Sequence, residues 1–247
     1  MPVRPVTAGP VPVRPGPREP IRWELAAKPD GGTRRLIRLG PSDERAFDQA
    51  VAQLVPWIEG GRGPCTFAHG SRGIERQQIT LTPWVSARGR WRRTVEGHCS
   101  EARVVAVTDI RDCYGSIRPS TVTARLMALG APAGPIRAVT TWLRAFEDEG
   151  VRGLPVGPAA SAILAEAVMT VGDLALSASG VRHTRWVDDV AIFCDDRGTA
   201  VAALDELRRA WTSLGLEAHD GKTALLDPDA AAIHLAVTSP SGARSLR

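Results

Sequence analysis

Apolar and polar residues change rhythm several times along the chain. From Ile21 to Leu39 they alternate around Lys28-Pro29-Asp30-Gly31-Gly32, which predicts a β-hairpin closed by a strong turn. Phe47, Val51, Leu54 and Val55 share one face of a helix predicted over Asp43–Val55, with Ser42 as its cap. Gly60–Gly73 reads as a loop, and Ile79–Arg93 as a second strand pair interrupted at Pro83. Val104–Thr108 is an unbroken, mostly β-branched run, the pattern of a buried strand. Helices follow over Ser120–Leu129, capped by Ser120, and Pro135–Phe146. A long helix of mostly small residues is predicted over Pro158–Leu176, suited to lie tightly beneath a sheet. His183–Phe193 reads as a hairpin and Thr199–Leu214 as an amphipathic helix. This order predicts an α+β layer, an antiparallel sheet with helices on one face.

Two apolar runs carry carboxylates where a half-buried strand prefers neutral residues. Val104–Thr108 leads into Asp109-Ile110-Arg111-Asp112-Cys113-Tyr114, and Arg185-Trp186-Val187 leads into Asp188-Asp189. Ionised carboxylates buried side by side are costly unless a cation neutralises them. Strands bringing Asp109 and Asp188 to one place, with Asp189 beside them, make a hard-cation site of the Mg²⁺ type. Paired ions at such a site are the usual machinery of phosphoryl and nucleotidyl transfer.

Charge sharpens this picture. The net charge is +4, but residues 1–100 carry +7 and residues 101–247 carry −3. The front half is the expected polyanion-binding half. Trp84, Arg88, Arg90, Trp91, Arg92 and Arg93 interleave aromatics with cations, as suits stacking on bases and pairing with phosphates. Cys65, Cys99, Cys113 and Cys194 form no C-x-x-C pair, which fits free thiols in a reducing compartment. Cys65, His69, His98 and Cys99 are a poor zinc set, since adjacent His98 and Cys99 rarely reach one tetrahedral ion. No run of 18 apolar residues and no signal-peptide core occur, so a cytoplasmic protein without a membrane span is expected.

The Asp109 strand, Gly153-Leu154-Pro155-Val156-Gly157-Pro158-Ala159-Ala160-Ser161, the Val187-Asp188-Asp189 hairpin, and Leu214-Gly215-Leu216 with Gly221-Lys222-Thr223 occur in that order. Together they resemble the palm of reverse transcriptases, over residues 21–227. The Gly-Pro-x-x-Ser continuation is most similar to bacterial enzymes associated with phage defence. The resemblance implies a right-hand fingers–palm polymerase with a ferredoxin-like palm and no recognisable thumb. It divides the chain into a Pro/Arg-rich arm (1–20), basic fingers (21–100), a palm (101–235) and a tail (236–247).

The resemblance also implies roles. Asp109, Asp188 and Asp189, with the Ile110 carbonyl, would hold two Mg²⁺ ions, for which Mn²⁺ can substitute. Lys222 would be the general acid to pyrophosphate. Lys28 and Lys222 are the only lysines beside 29 arginines, and both fall where the family expects a lysine. Lys28 with Arg34 or Arg35 would bind the triphosphate; the arrangement favours Arg34. Arg111, Asp112, Cys113, Tyr114, Val156 and Gly157 would line the nucleotide site. Tyr114, the only tyrosine, would exclude a 2′-hydroxyl and select dNTPs. Val156 stands where retroviral enzymes tend to have Gln. Gly153, Pro155 and Ser161 would join the tryptophan–arginine segment in contacting nucleic acid. The expected partners are an RNA template, a DNA or RNA primer, and a protein or structured non-coding RNA supplying the thumb's function. Template-free or protein-primed synthesis, and an inactive RNA-binding scaffold, are the alternatives.

Overall fold

The alternating segments form three antiparallel sheets, and the 3.6-periodic segments form helices around them. The computed structural model describes residues 16–17, 19–27, 31–75 and 78–238. Lys28 and nearly all of the 1–20 arm, like the segment 239–247, lie outside the described residues.

Strands β1 (Arg22–Ala27) and β2 (Thr33–Arg38) form the expected first hairpin, with Ala26 opposite Arg34. Helices α1 (Pro41–Ala52) and α2 (Val55–Gly60) follow, then a hairpin of β3 (Ser71–Glu75) and β4 (Gln78–Leu81). Helix α3 (Trp84–Cys99) leads into β5 (Val104–Thr108) and the single turn α4 (Cys113–Ser116). Next come α5 (Pro119–Ala128), α6 (Ala133–Asp148) and α7 (Ala159–Ala178). The hairpin of β6 (Arg182–Trp186) and β7 (Asp189–Cys194) is followed by α8 (Arg197–Thr212), β8 (Ala224–Leu226) and α9 (Pro228–Thr238).

The main sheet has the order β6-β7-β5-β8, all antiparallel, so β5 and β7 occupy its centre. Helices cover both of its faces, a correction to the one-sided layer expected. Ala106, Val190, Ile192 and Cys194 face the core built with α7 and α8, while Val105, Val107, Ala191 and Phe193 face α3 and α9. The physical reason lies in β5 itself: Val104–Val107 is apolar on both faces and has no solvent side to offer. Helix α7 is long and apolar enough to cross a membrane, yet 78% of that window is buried inside the fold. Gly172 lets it close on α8, since a Cβ there would lie 2.7 Å from Leu207 Cδ1.

Other expectations also need correction. Ile79–Arg93 is not a strand pair; after β4 the chain enters α3, whose Ala87, Trp91, Val95 and Cys99 repeat every fourth residue and are all buried. Ser42 and Ser120 are not caps. Pro41 and Pro119 open α1 and α5, with Gly40 and Arg118 before them and no side-chain cap bond. Proline is already set for a first helical turn and gives up no bond there. The first helix also stops at Ala52, and α2 restarts at Val55. After Lys222 the chain forms β8 and then α9, which packs on α3.

Candidate active site

Strand register sets the carboxylates. Thr108 pairs with Val190 and Trp186 with Asp189, so one further step places Asp109 across from Asp189 at the end of the central strands. The β6–β7 turn consists of Val187 and Asp188. Val187 has φ +57°, a left-handed conformation that costs a β-branched residue about 1–2 kcal/mol. Asp109 is 4% exposed, and Asp188 and Asp189 are half-buried. Burial, and then the charge of Asp109, push Asp188 up to about 6. Burial, and then the charges of Asp188 and Asp109, push Asp189 up to about 8.

Segment 217–223 runs alongside. The Asp109 carbonyl accepts the His219 N–H at 2.8 Å, and the Glu217 carbonyl accepts that of Arg111 at 2.9 Å. These neighbours make the bonds of the Ile110–Ala218 bridge, so the Ile110 carbonyl is not spent on it. The same segment brings Lys222 Nζ onto Asp109 Oδ2. Burial works to lower the Lys222 pKa, but the hydrogen bond and charge of Asp109, with Asp189 and Asp188 behind, hold it above its ordinary value. Asp109 Oδ1 is buried without a hydrogen-bond partner. Two carboxylates pushed well above their ordinary range beside a third with a bare oxygen fit a hard divalent cation, although the oxygens of all three do not lie within 4.8 Å of one another.

The turn after α6 joins this centre to the first hairpin. The Tyr114 carbonyl accepts the Leu154 N–H at 2.8 Å, and Gly153 (φ +70°) lies so close to Tyr114 and Gly115 that no Cβ would fit. At the turn's other end the Val156 carbonyl accepts the Ile37 N–H at 2.7 Å. Gly157 (φ +134°) leaves a Cβ only 2.6 Å from the Ile37 carbonyl oxygen. Tyr114 is half-buried, and burial keeps its phenol neutral, well above the usual range. On β2 the two arginines part company. Arg34 acts electrostatically on Asp188, Asp189 and Tyr114, whereas Arg35 stacks over Trp23 at 4.0 Å.

A family model described as reverse transcriptase (RNA-dependent DNA polymerase) matches residues 26–233. The chain belongs to the reverse transcriptase family. No curated protein matches it. The family makes it a nucleotidyltransferase, an RNA-directed DNA polymerase of the fingers–palm kind. Reverse transcriptases generally use divalent metal ions and act with an RNA template, a primer and dNTPs.

The structure of this reverse transcriptase does not bring every residue singled out from its sequence to the site. Trp91 is 2% exposed and packs on Trp186 at 5.4 Å; Trp84 meets the same ring edge-on at 4.5 Å. These rings fasten α3 to the sheet; Trp91 is too deeply buried to stack on a base, while Trp84 is half-buried and lines an open cavity. Arg90, Arg92 and Arg93 remain on the exposed face of α3, Arg92 beside Glu96, while Arg88 bonds the Ala236 carbonyl. Ser161 is fully buried, as are the Gly153 and Pro155 positions, so these shape the turn from inside. The Cys113 side chain points into the core toward Met169 Sδ, not into a nucleotide site. Arg111 and Asp112 are exposed, the latter in a left-handed conformation (φ +47°) that opens α4. His98 lies against Phe193 and Cys99 is in the core, so the four-residue zinc set does not converge. Among the described residues Cys65, Asp173 and His183 do come together, but Asp173 is already bonded by Arg185 and Thr66.

Sequence reasoning missed the buried ion network under the hairpin. Arg185, 1% exposed, spans Glu166 and Asp173 of α7, and Arg62 also reaches Glu166 at 3.2 Å. A signal existed: Glu166 and Asp173 lie seven residues apart on one face of an otherwise uncharged helix.

Proposed function

We propose that this polymerase extends a primer 3′-hydroxyl on an RNA template with dNTPs, using a two-ion site held by Asp109, Asp188, Asp189 and the Ile110 carbonyl. The carrying observation is the convergence of the three carboxylates at the ends of the central strands, with Asp109 Oδ1 bare. Divalent ions bound there supply activation of the attacking hydroxyl and neutralisation of the departing pyrophosphate.

The chain's own groups do the rest. Arg34, facing the carboxylates, grips the triphosphate, while Arg35 is committed to Trp23. Tyr114 lies beneath the sugar and collides with a 2′-hydroxyl, selecting dNTPs. The Gly153–Gly157 turn, bonded at once to Tyr114 and Ile37, fixes the distance between sugar and triphosphate contacts. Lys222, held protonated by its acidic neighbours, gives its proton to pyrophosphate as that group leaves. The exposed arginines of α3 provide phosphate contacts for the template or primer strand. A defence-associated setting rests on the Gly157-Pro158-Ala159-Ala160-Ser161 resemblance alone.

The test is incorporation of labelled dNTPs by the purified chain with Mg²⁺ or Mn²⁺ on primed RNA, primed DNA and no template. Incorporation on primed RNA that vanishes in the Asp188→Ala, Asp189→Ala double variant is the expected result. Synthesis that survives in that variant would refute the assignment of the site, and equal synthesis without template would refute the templated reading.

A further inference from the structure

Taking Asp109, Asp188 and Asp189 as the carboxylates that hold the ions, we infer that Arg185 is a positioning residue that sets the Asp188–Asp189 turn through the Val187 carbonyl. Arg185 touches neither substrate nor ion; it acts on the residues that do.

The guanidinium is itself held rigidly. Nε reaches Asp173 Oδ1 at 2.9 Å, one terminal nitrogen reaches Glu166 Oε1 at 3.2 Å, and the other reaches Glu166 Oε2 at 2.9 Å and Asp173 Oδ2 at 2.8 Å. That other nitrogen also lies 3.4 Å from Thr66 Oγ1. One short bond leads from this cage to the reaction centre, from the first terminal nitrogen to the Val187 carbonyl at 2.7 Å. Arg62 pairs with Glu166 at 3.2 Å and with the partly exposed Glu59 at 3.5 Å, which extends the network from the core to the surface.

Stability alone does not account for such a cage, because apolar residues of similar volume generally serve a core as well or better. The turn supplies the reason. A β-branched residue in a left-handed conformation persists only where its surroundings over-determine it. Here the hairpin's end is gripped from both faces. Trp186 is wedged against Trp84 and Trp91 on the α3 side, and Arg185, the residue before it, is locked to α7 on the other. Because α7 begins two residues after Gly157, the same helix carries the turn that bonds Tyr114 and Ile37. The ion-holding turn and the nucleotide-facing turn are thus referenced to one rigid element.

The experiment measures Mn²⁺ binding to the full-length chain, by loss of the free-ion electron paramagnetic resonance signal, beside the melting temperature. Arg185→Lys keeps the charge but loses the fork. It is expected to weaken Mn²⁺ affinity by about tenfold, the weight of one charge-assisted hydrogen bond, under conditions where the variant remains folded. Glycine prefers the left-handed turn position, so in a Val187→Gly background the same substitution should weaken binding by less than about threefold. If Arg185→Lys does not fold, Arg185→Met with Glu166→Leu and Asp173→Leu refills the core without the clamp, and the same tenfold loss is expected. Unchanged affinity in a folded variant, or an equal loss in the Val187→Gly background, would leave Arg185 a purely structural residue and overturn the inference. A wild-type chain that takes up no Mn²⁺ would overturn the ion-holding reading of the carboxylates, and the clamp with it.

Discussion

Asp48 offers a quantitative check on the packing between α1 and the second hairpin. Its side chain is 3% exposed; one oxygen accepts the Ile79 N–H at 3.1 Å, and the backbone of Ala160 at the start of α7 also acts on the carboxylate. Burial, opposed by the Ile79 bond and the Ala160 backbone and reinforced by Glu44, raises its pKa from 3.8 to about 6. A carboxyl whose folded pKa lies above its unfolded value binds its proton more tightly in the native state. Stability from this group is therefore fully present below the unfolded pKa and is lost as pH rises through the folded one. A shift of about 2 units at 1.36 kcal/mol each makes the loss about 3 kcal/mol, most of it between pH 4 and 7.5. Urea denaturation of the wild type and Asp48→Asn across that range isolates the effect, because every other titrating group is common to both chains. The asparagine leaves a buried N–H₂ without an acceptor, which shifts the whole difference by about 1–3 kcal/mol but does not tilt it. Relative to wild type, Asp48→Asn should gain about 2–3 kcal/mol from pH 4 to 7.5. A difference that is flat with pH, or that falls, would refute the reasoning.

Two further outcomes separate residues that sequence alone left together. Arg34→Ala should raise the KM for dNTP by about tenfold or more while Arg35→Ala changes it less than about threefold, measured by steady-state incorporation; equal effects would remove the distinction drawn from the Trp23 stack. Trp91→Ala should cost about 3–5 kcal/mol in urea denaturation, as for a buried core aromatic. Arg93→Ala should leave stability nearly unchanged but flatten the salt dependence of RNA binding by about one unit in the log–log slope. The reverse pattern would restore Trp91 to the nucleic-acid surface.

The main strands and the candidate centre were legible because their signals are local. Val104–Thr108 runs straight into Asp109 and Val190–Phe193 starts straight after Asp188-Asp189, a placement of carboxylates against apolar strands that is costly without a cation, and Gly153 and Gly157 mark backbone approaches that no side chain permits. Helix α3 was hidden because its arginines and tryptophans, read two by two after Pro83, imitate a strand's alternation. Only the fourfold spacing of Ala87, Trp91, Val95 and Cys99 betrays the helix. The second cover on the sheet was missed with it, since α3 and α9 provide that cover. The network of Arg62, Glu166, Asp173 and Arg185 was illegible for a different reason. Its members come from two separate elements, α7 and β6, and a loop; the Glu166–Asp173 spacing marks an acidic stripe on α7, but nothing local says that Arg62 and Arg185 are its partners.

The position of β5 at the centre of its sheet has a consequence for how the protein is born. Its partners β7 and β8 begin at Asp189 and Ala224, so about 80 residues must be made after β5 before its first edge is covered, and more before the second. At about 5–20 residues per second, an apolar strand leaves the ribosome with both edges open for roughly 4–16 s. A nascent chain that stalls in this interval carries Asp109 on an unpaired strand with neither Asp188 nor Lys222 beside it. The candidate centre thus assembles only once Lys222 has been made, and a chain that stops between β5 and β7 presents an aggregation hazard in place of a partial polymerase.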